Sequence, residues 1–334
     1  IQLDILAEII VLIVSLLCVN RVFSINAAAV GLLMTYTLQV ANELLNLVRT
    51  FTLVENDMNS AERIIHYALK VDQEAPYVID SNKPPADWPQ YGAVEFSHVN
   101  MKYRPGLPLV LKDFSLNISP MEKIGICGRT GAGKSSIMTA LYRISELDNG
   151  SIIIDNIDIS TIGLKDLRSH LSIIPQDPVL FNGTIRSNLD PFGEQEDEVL
   201  WESLRRSGVL TAEEVAKAKS ISKDTITSGD CEVELPKFHL YQPVEDEGEN
   251  FSLGERQLIS FARALVRNAK IIILDEATSS VDYGTDDKIQ TTIAEEFKQC
   301  TILCIAHRLK TIINYDKILV MDKGSVREFD TPWN

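Results

Sequence analysis

The feature of the sequence that most restricts its fold is one glycine-rich stretch. It consists of Gly128-Arg129-Thr130-Gly131-Ala132-Gly133-Lys134-Ser135, called the phosphate loop below. These residues match G-x-x-x-x-G-K-[ST], a phosphate-binding pattern, at every fixed position. An apolar run over 123–127 precedes the loop, and a run with helix character begins at Ser136. Strand, loop and helix in this order predict an α/β fold of the P-loop NTPase kind.

The residue types of the phosphate loop suit a bound triphosphate. Glycines let the backbone fold tightly enough for successive N–H groups to point at an anion, and the following helix start adds its dipole. Lys134 can then reach the β- and γ-phosphates, and the Ser135 hydroxyl can ligate Mg²⁺. The whole loop and Ser136 are therefore the candidate ATP site. A glycine-rich turn that matches by chance is disfavoured because the strand and helix flank it.

A second strong signal is a pair of acids at the end of an apolar run. Residues 271–274 predict a buried parallel strand, and Asp275 and Glu276, called the acidic pair below, follow it directly. Parallel sheets bind ligands at this end of their strands. Asp275 is expected to hold Mg²⁺, and Glu276 to orient or deprotonate the water that attacks the γ-phosphate. The alternative is a helix cap, which the phosphate loop in the same chain makes less attractive.

Three further side chains are candidates because of where they occur. Gln176 follows a predicted strand over 171–175, and its amide oxygen can ligate Mg²⁺ or the attacking water. His307 follows the apolar run 301–306 and can contact the γ-phosphate, although a lone histidine at a strand end is more often structural. Tyr103 precedes the phosphate loop and can stack on adenine, although such a tyrosine usually serves packing.

The beginning of the chain is far more apolar than the rest. Residues 5–23 and 27–48 are each close to the ~20 residues that cross a bilayer, so both are predicted transmembrane helices. Basic residues follow the second run, while Arg21 alone lies in the break, which predicts that both ends are cytoplasmic. Two buried helices of a large soluble protein are the alternative. The helical pattern continues past the second run and predicts a rigid extension over residues 41–69.

One face of the second run is polar. It carries Thr35, Gln39, Asn42 and Asn46 at helical spacing, which indicates contact with other helices or with a transported substrate. The formal net charge of the chain is −15, which argues against a nucleic-acid partner. The sequence starts at Ile1 and not at Met, so we expect it to be part of a longer polypeptide.

Between these elements lies a motif that identifies a family. It is the stretch Asn250-Phe251-Ser252-Leu253-Gly254-Glu255-Arg256-Gln257-Leu258, whose residues 251–255 are called the signature motif below. Together with the phosphate loop, Gln176, the acidic pair, residues 279–282 and His307, it resembles the ordered motif set of ATP-binding-cassette (ABC) proteins. The stretch 175–192 is similar to the second cassette of the C subfamily, which contains the multidrug-resistance proteins, the cystic fibrosis chloride channel and the sulfonylurea receptors.

The resemblance implies how the signature motif works. Family members pair two cassettes head to tail, so Ser252 and the Gly254 backbone would contact ATP held by a first cassette outside this chain. The family pattern is L-S-G-G-Q, and here Leu253 replaces a glycine and Glu255 replaces the glutamine. A side chain at 253 and an acid near phosphate predict a weak, slowly hydrolysing site there. The intact Glu276 predicts that the site on Lys134 hydrolyses ATP.

The resemblance also implies the organisation and role of the chain. Residues 1–75 would be the last two transmembrane helices of a type IV exporter with a cytoplasmic extension, 76–92 a linker and 93–334 the second nucleotide-binding domain. The partners would be the first nucleotide-binding domain, the remaining transmembrane helices, the lipid bilayer and an amphipathic organic substrate such as a drug or organic anion. The plasma membrane is favoured over the vacuolar membrane, with the nucleotide-binding domain in the cytoplasm.

Two functions other than export are alternatives for this chain. An ATP-gated channel or channel regulator of the same subfamily is the main alternative to an exporter. A soluble DNA-repair ATPase is disfavoured by the apolar runs, the acidic charge and the lack of long coiled-coil insertions.

Residues 211–249 are longer than the family's usual connection, and their polar, acidic composition predicts an irregular, solvated loop or a regulatory surface.

Overall fold

A six-stranded sheet forms the centre of the larger of two units in this computed structural model, Ile1–Gln73 and Glu74–Asn334. The structure describes residues 2–20, 26–71, 73–221, 235–277, 283–306 and 309–333. Each unit has its own internal contacts and is described separately.

The first unit consists of two helices, α1 (Gln2–Val19) and α2 (Ala27–Leu69). Helix α2 is unbroken over 43 residues, as the continuous helical pattern predicts. Hydroxyl side chains on α2 donate to the preceding turn, and one example is the bond from Thr35 Oγ1 to the Gly31 carbonyl at 2.9 Å. Such bonds satisfy the hydroxyl within the helix itself.

Among the described residues, no helix combines the length and the apolar character needed to cross a membrane. The prediction of transmembrane helices over 5–23 and 27–48 is therefore not confirmed and stays a prediction.

The central sheet of the second unit has the strand order β12-β11-β3-β10-β9-β6. Its strands are β3 (Lys123–Gly128), β6 (Leu171–Ile174), β9 (Ile271–Asp275), β10 (Thr301–Ile305), β11 (Lys317–Asp322) and β12 (Ser325–Asp330). All neighbours pair in parallel except β12, which is antiparallel to β11 at the edge. The α/β class and the predicted core strands are confirmed.

A smaller antiparallel sheet has the order β2-β1-β4-β5. Its strands are β1 (Val94–Met101), β2 (Leu111–Ile118), β4 (Asn149–Ile154) and β5 (Ile157–Asp158). Burial alternates along β2. In Phe114-Ser115-Leu116-Asn117-Ile118 every second residue is buried and the others face solvent, as expected for an antiparallel sheet with one face on the core.

Apolar residues on both faces of the central sheet build two separate core clusters. In β9, Ile271 and Ile273 pack with the small sheet and with α3 (Lys134–Leu141), whereas Ile272 and Leu274 pack on the opposite face. That opposite face is covered by α8 (Leu253–Arg267) and α9 (Tyr283–Glu295). Burial on both faces explains why the strands are continuous apolar runs in the sequence.

The remaining α-helices of the described residues surround these layers. They are α4 (Leu164–His170), α5 (Ile185–Leu189), α6 (Asp197–Arg206), α7 (Ala212–Lys219) and α10 (Leu309–Ile312). Helices α5, α6, α7 and part of α8 enclose a third core cluster. Strands β7 (Gly183–Thr184) and β8 (Pro243–Val244) pair beside it.

The prediction of an irregular loop over 211–249 is wrong for part of the segment. Residues 222–234 lie outside the described residues, but α7 and β8 occupy its two ends. Helix α7 begins with a capping box between Thr211 and Glu214, and it buries Val215 and Ala218 in the third cluster. A short amphipathic helix is therefore present where the polar, acidic composition predicts a solvated loop.

The segment predicted as a linker, 76–92, is part of the second unit and is hydrogen-bonded within it. The amides of Leu164 and Lys165 donate to the carbonyls of Pro76 and Tyr77, at 3.2 and 2.9 Å. Trp88 is buried, and its indole N–H donates to the Ile154 carbonyl at 3.0 Å. Its role as a linker stays a prediction.

The end of this segment is held by one carboxylate. The amides of Tyr91, Gly92 and Ala93 donate to Asp155 at 2.8, 3.0 and 2.8 Å. Bonds to a charged acceptor are stronger than neutral ones, so the substitution Asp155→Ala is expected to lower the free energy of unfolding by about 2 kcal/mol. Chemical denaturation of the purified protein measures this change.

The control is Asp148→Ala, which removes an exposed ion pair with Lys102. An exposed pair contributes about 0–1 kcal/mol, so this variant is expected to stay close to the unsubstituted protein. Equal destabilisation by the two substitutions would contradict the structural role of Asp155.

Candidate functional site

The phosphate loop connects β3 to α3, as predicted. Three of its glycines have positive φ, at +154° for Gly128, +80° for Gly131 and +97° for Gly133. A Cβ at Gly128 would lie 2.6 Å from the Met321 carbonyl oxygen, so close packing alone excludes a side chain there. A Cβ at Gly131 would meet no atom within 4 Å. The loop is therefore open at Gly131 and closely packed at its base.

Lys134 is the first residue of α3, and 8% of its surface is exposed. Its ammonium donates to the carbonyl oxygens of Gly128 and Arg129, at 2.9 and 3.5 Å, so it lies against the loop backbone. The N-cap of α3 is Gly133, which has no side chain that could cap the helix start. A buried cation and an uncapped helix start fit the phosphates of a nucleotide.

The side chain of Tyr103 contacts the first turn of α3. Its hydroxyl is 2.9 Å from the Ser136 hydroxyl, and the two groups share a hydrogen bond. Ser136 is buried, while Tyr103 is 47% exposed. The tyrosine thus lies beside the start of α3 with much of its surface accessible. Its predicted role, stacking on adenine, stays a prediction that this position favours.

The acidic pair lies on the same edge of the central sheet as the phosphate loop. Ile126 of β3, Ile305 of β10 and Asp275 of β9 are in register across three parallel strands. With strands about 4.8 Å apart, the Cα atoms of Ile126 and Asp275 are roughly 10 Å apart. The Glu276 amide donates to the Ile305 carbonyl at 2.9 Å, and Glu276 has φ +50°. The strand ends are thus tied together where the acids emerge.

The predicted magnesium ligands come from three elements that end at this edge. Ser135 is exposed at the start of α3, Gln176 is exposed just after β6, and Asp275 ends β9. A hydroxyl, an amide oxygen and a carboxylate are hard oxygen donors of the kind that Mg²⁺ prefers. This donor set fits the ion.

His307 and residues 279–282 lie outside the described residues. The strand before His307, β10, ends at Ile305 on the ligand-binding edge. The predicted contact of His307 with the γ-phosphate therefore stays a prediction.

The signature motif begins α8 through a capping box. Ser252 is the N-cap, its hydroxyl accepts from the Glu255 amide at 3.3 Å, and the Glu255 carboxylate accepts from the Ser252 amide at 2.8 Å. Gly254 is buried, and a Cβ there would lie 3.1 Å from Thr285 Oγ1 of α9. Tight helix packing is thus a second reason for glycine at this position.

The carboxylate of Glu255 is also paired with a lysine. Lys237 Nζ lies 2.7 and 2.8 Å from its two oxygens. Burial alone would raise the pKa of Glu255, but the hydrogen bonds with Lys237 and Ser252 outweigh it and hold the pKa below its ordinary value. Glu255 therefore carries a neutralised charge, which the sequence analysis did not anticipate.

Two contributors to the site were missed. Lys237 lies in the segment interpreted as a solvated loop, and no spacing pattern connects it to Glu255. Gln257 of α8 is fully buried, and its side-chain amide donates to the Pro175 carbonyl at 3.2 Å, directly before Gln176. The signature helix is thus bonded to the strand end that presents Gln176. Only the pairing in space reveals these links.

The signature motif and the phosphate loop belong to different parts of the core. Phe251 packs in the helical cluster with α5 and α6, whereas Ala132 and Ile137 pack in the cluster between the two larger sheets. The predicted contacts of Ser252, Gly254 and Glu255 with a nucleotide of another cassette stay predictions.

The open space at Gly131 gives a sharp test. The substitution Gly131→Ala strains the backbone at φ +80° without a clash, and its methyl group would occupy space next to the loop amides. We expect nucleotide binding to weaken by at least about tenfold, because the phosphates need close backbone approach. Equilibrium binding of a fluorescent ATP analogue measures this.

The matched control is Gly208→Ala. Gly208 has φ +75° and equally open surroundings, but it follows α6. Both substitutions cost about 1–2 kcal/mol of backbone strain, so the two variants are expected to be equally stable. Only Gly131→Ala is expected to weaken nucleotide binding. Equal binding by the two variants would contradict the assignment of the loop.

Comparisons with known proteins agree with this geometry. Residues 111–279 match the family model of the ABC transporter. The oligomycin resistance ATP-dependent permease YOR1 of Saccharomyces cerevisiae is 59% identical over 99% of this chain and 22% of its own length. ATP-binding cassette sub-family C member 3 of Rattus norvegicus is 46% identical over 93% of this chain and 19% of its length. The chain thus spans about a fifth of these relatives.

A solved structure is similar as well. A bacterial Atm1-family ABC exporter with ATP bound superposes with a TM-score of 0.68 at 27% identity, over 91% of this chain and 49% of the other. The sequences of 251–257 and 329–333 indicate a particular similarity to the yeast oligomycin-resistance transporter, and this similarity is confirmed. The predicted relationship to the C subfamily is confirmed by the same relatives. The chain therefore belongs to the ABC transporter family, in its C subfamily.

Proposed function

We propose that this chain is the C-terminal part of an ATP-driven membrane exporter and that its second unit hydrolyses ATP. The observation that carries the proposal is the register of Ile126, Ile305 and Asp275, which aligns the phosphate loop with the acidic pair. A loop that grips a triphosphate and a carboxylate near the γ-phosphate are the parts that hydrolysis needs. Membership of the ABC transporter family supports the proposal.

The chain's own residues divide the work of binding. The loop amides and the Lys134 ammonium hold the phosphates, and Tyr103 stacks on the adenine. Ser135, Gln176 and Asp275 supply oxygen ligands for Mg²⁺. When bound, this ion neutralises negative charge on the phosphates.

The chemical step belongs to the end of β9. Glu276 orients the attacking water and accepts its proton, and His307, which follows β10 in the sequence, contacts the γ-phosphate. The φ of +50° at Glu276 lies in the left-handed region, a conformation that Glu247 also adopts, so the proposed role rests on the position of Glu276 at the end of β9.

A first cassette outside this chain completes the arrangement. In the proposal, Ser252, the Gly254 backbone and the start of α8 contact ATP held by that cassette, whose own signature motif completes the site on Lys134. The packing of the signature motif in a different core cluster from the phosphate loop supports this division.

Transport is the output of the cycle in this proposal. The unbroken helix α2 carries the movement of the cassettes toward the remaining transmembrane helices. The cargo is an amphipathic organic anion or drug, in keeping with relatives whose names mention oligomycin resistance and efflux of multiple drugs. We favour the plasma membrane over the vacuolar membrane, with the ATPase unit in the cytoplasm.

The decisive substitution is Glu276→Gln. It keeps the size and the hydrogen-bonding capacity of the side chain but removes the base, so ATP turnover is expected to fall by at least about a hundredfold. Retention of ATP by the purified full-length transporter is expected to persist. Phosphate release and ATP binding, measured on the same preparation, test both expectations.

Glu295→Gln is the matched control, since Glu295 is an exposed glutamate at the end of α9. Its turnover is expected to equal that of the unsubstituted protein. Full turnover in the Glu276→Gln variant would contradict the role of Glu276, and loss of ATP binding there would contradict a purely catalytic effect.

A further inference from the structure

The signature motif carries a negative charge where a bound phosphate needs positive potential. Glu255 lies in the first turn of α8 and is 26% exposed at its side chain. The start of a helix attracts anions through its free N–H groups and its dipole. A glutamate here stabilises its own helix, but it also repels an external phosphate.

Lys237 lies where it cancels this charge. Its ammonium contacts both carboxylate oxygens of Glu255. The same ammonium is 5.7 Å from the ring centroids of Phe238 and Phe251, and the two rings are themselves 5.7 Å apart. Phe251 is buried and directly precedes the N-cap Ser252. The cation is thus fixed to the beginning of the signature helix by one ion pair and two aromatic rings.

The start of α8 can still attract an anion when Glu255 is paired with Lys237. The capping box turns the Glu255 carboxylate back to the Ser252 amide, and Lys237 binds it from the segment before the motif. Carboxylate and ammonium together are neutral, so the pair adds no net charge to the start of α8, and the helix dipole there still favours an anion. Lys237 is half exposed, which keeps part of its charge accessible from solvent.

We propose that Lys237 is a positioning residue that makes a glutamate compatible with nucleotide binding by the signature motif. It neutralises Glu255 and thereby preserves the affinity of the start of α8 for the γ-phosphate held by the opposing cassette. This inference rests on the proposed function, because it requires that the motif meets a nucleotide.

The test uses the purified full-length transporter with the Glu276→Gln substitution, which keeps bound ATP from being consumed. Lys237→Gln is added, and ATP binding at the two sites is titrated with radiolabelled ATP. An uncompensated carboxylate near phosphate is expected to weaken one of the two sites by about fivefold. The difference is expected to shrink at high ionic strength, because salt screens a charge effect.

Charge-specific rescue separates this role from a merely structural one. Adding Glu255→Gln to Lys237→Gln removes the excess charge and keeps a capping residue, so affinity is expected to return to its original value. Glu255→Gln alone leaves Lys237 uncompensated and is expected to tighten the same site. A variant that only loosens the fold would show neither effect.

The matched control is Lys219→Gln, which removes another lysine–glutamate pair, with Glu198, from the same helical part of the unit. It is expected to leave both sites unchanged. Unaltered binding in Lys237→Gln, or no rescue by the double substitution, would overturn the inference while ATP retention still supports the proposed function. Absence of any retained ATP in the Glu276→Gln protein would instead overturn the proposed function and the inference with it.

Discussion

The parallel register of β3, β10 and β9 is the constraint on which the candidate site depends. Because Ile126, Ile305 and Asp275 are level across these strands, the phosphate loop and the acidic pair emerge together at one edge. Apolar side chains on both faces of β9 hold the strand in this position. The hydrophobic core therefore sets the distance between the phosphate loop and the acidic pair, which we propose to hold a triphosphate and to activate water.

The signature motif shows how one helix start satisfies several requirements at once. Ser252 and Glu255 cap α8, and Gly254 lets α9 approach closely through Thr285. A glutamate in this turn satisfies the local helix but opposes phosphate binding. In our proposal Lys237, which precedes Glu255 by 18 residues, compensates for this charge. The departure from the family pattern is thus accompanied by a partner that the pattern does not contain.

The sequence predicts elements whose signal is local. It does not predict contacts that depend on how separate segments pair in the fold. Strands β3, β6, β9 and β10 were predicted within a residue or two, because buried parallel strands are apolar throughout. Strand β11, which pairs with β3, was not predicted. Helix α7 was missed, although Thr211 and Glu214 form the T-x-x-E pattern of a capping box, because acidic composition outweighed that short signal. The pairs Lys237–Glu255 and Gln257–Pro175 have no sequence spacing that could announce them.

The sequence by itself determined the phosphate loop, the acidic pair, the α/β class and the family, because each rests on residues that are adjacent along the chain. Tertiary structure alone decided which strand ends meet, that Tyr103 bonds to Ser136 and that Lys237 neutralises Glu255. The physical reason is that covalent order fixes local conformation and glycine placement, whereas contacts between distant segments follow from how apolar faces are buried together.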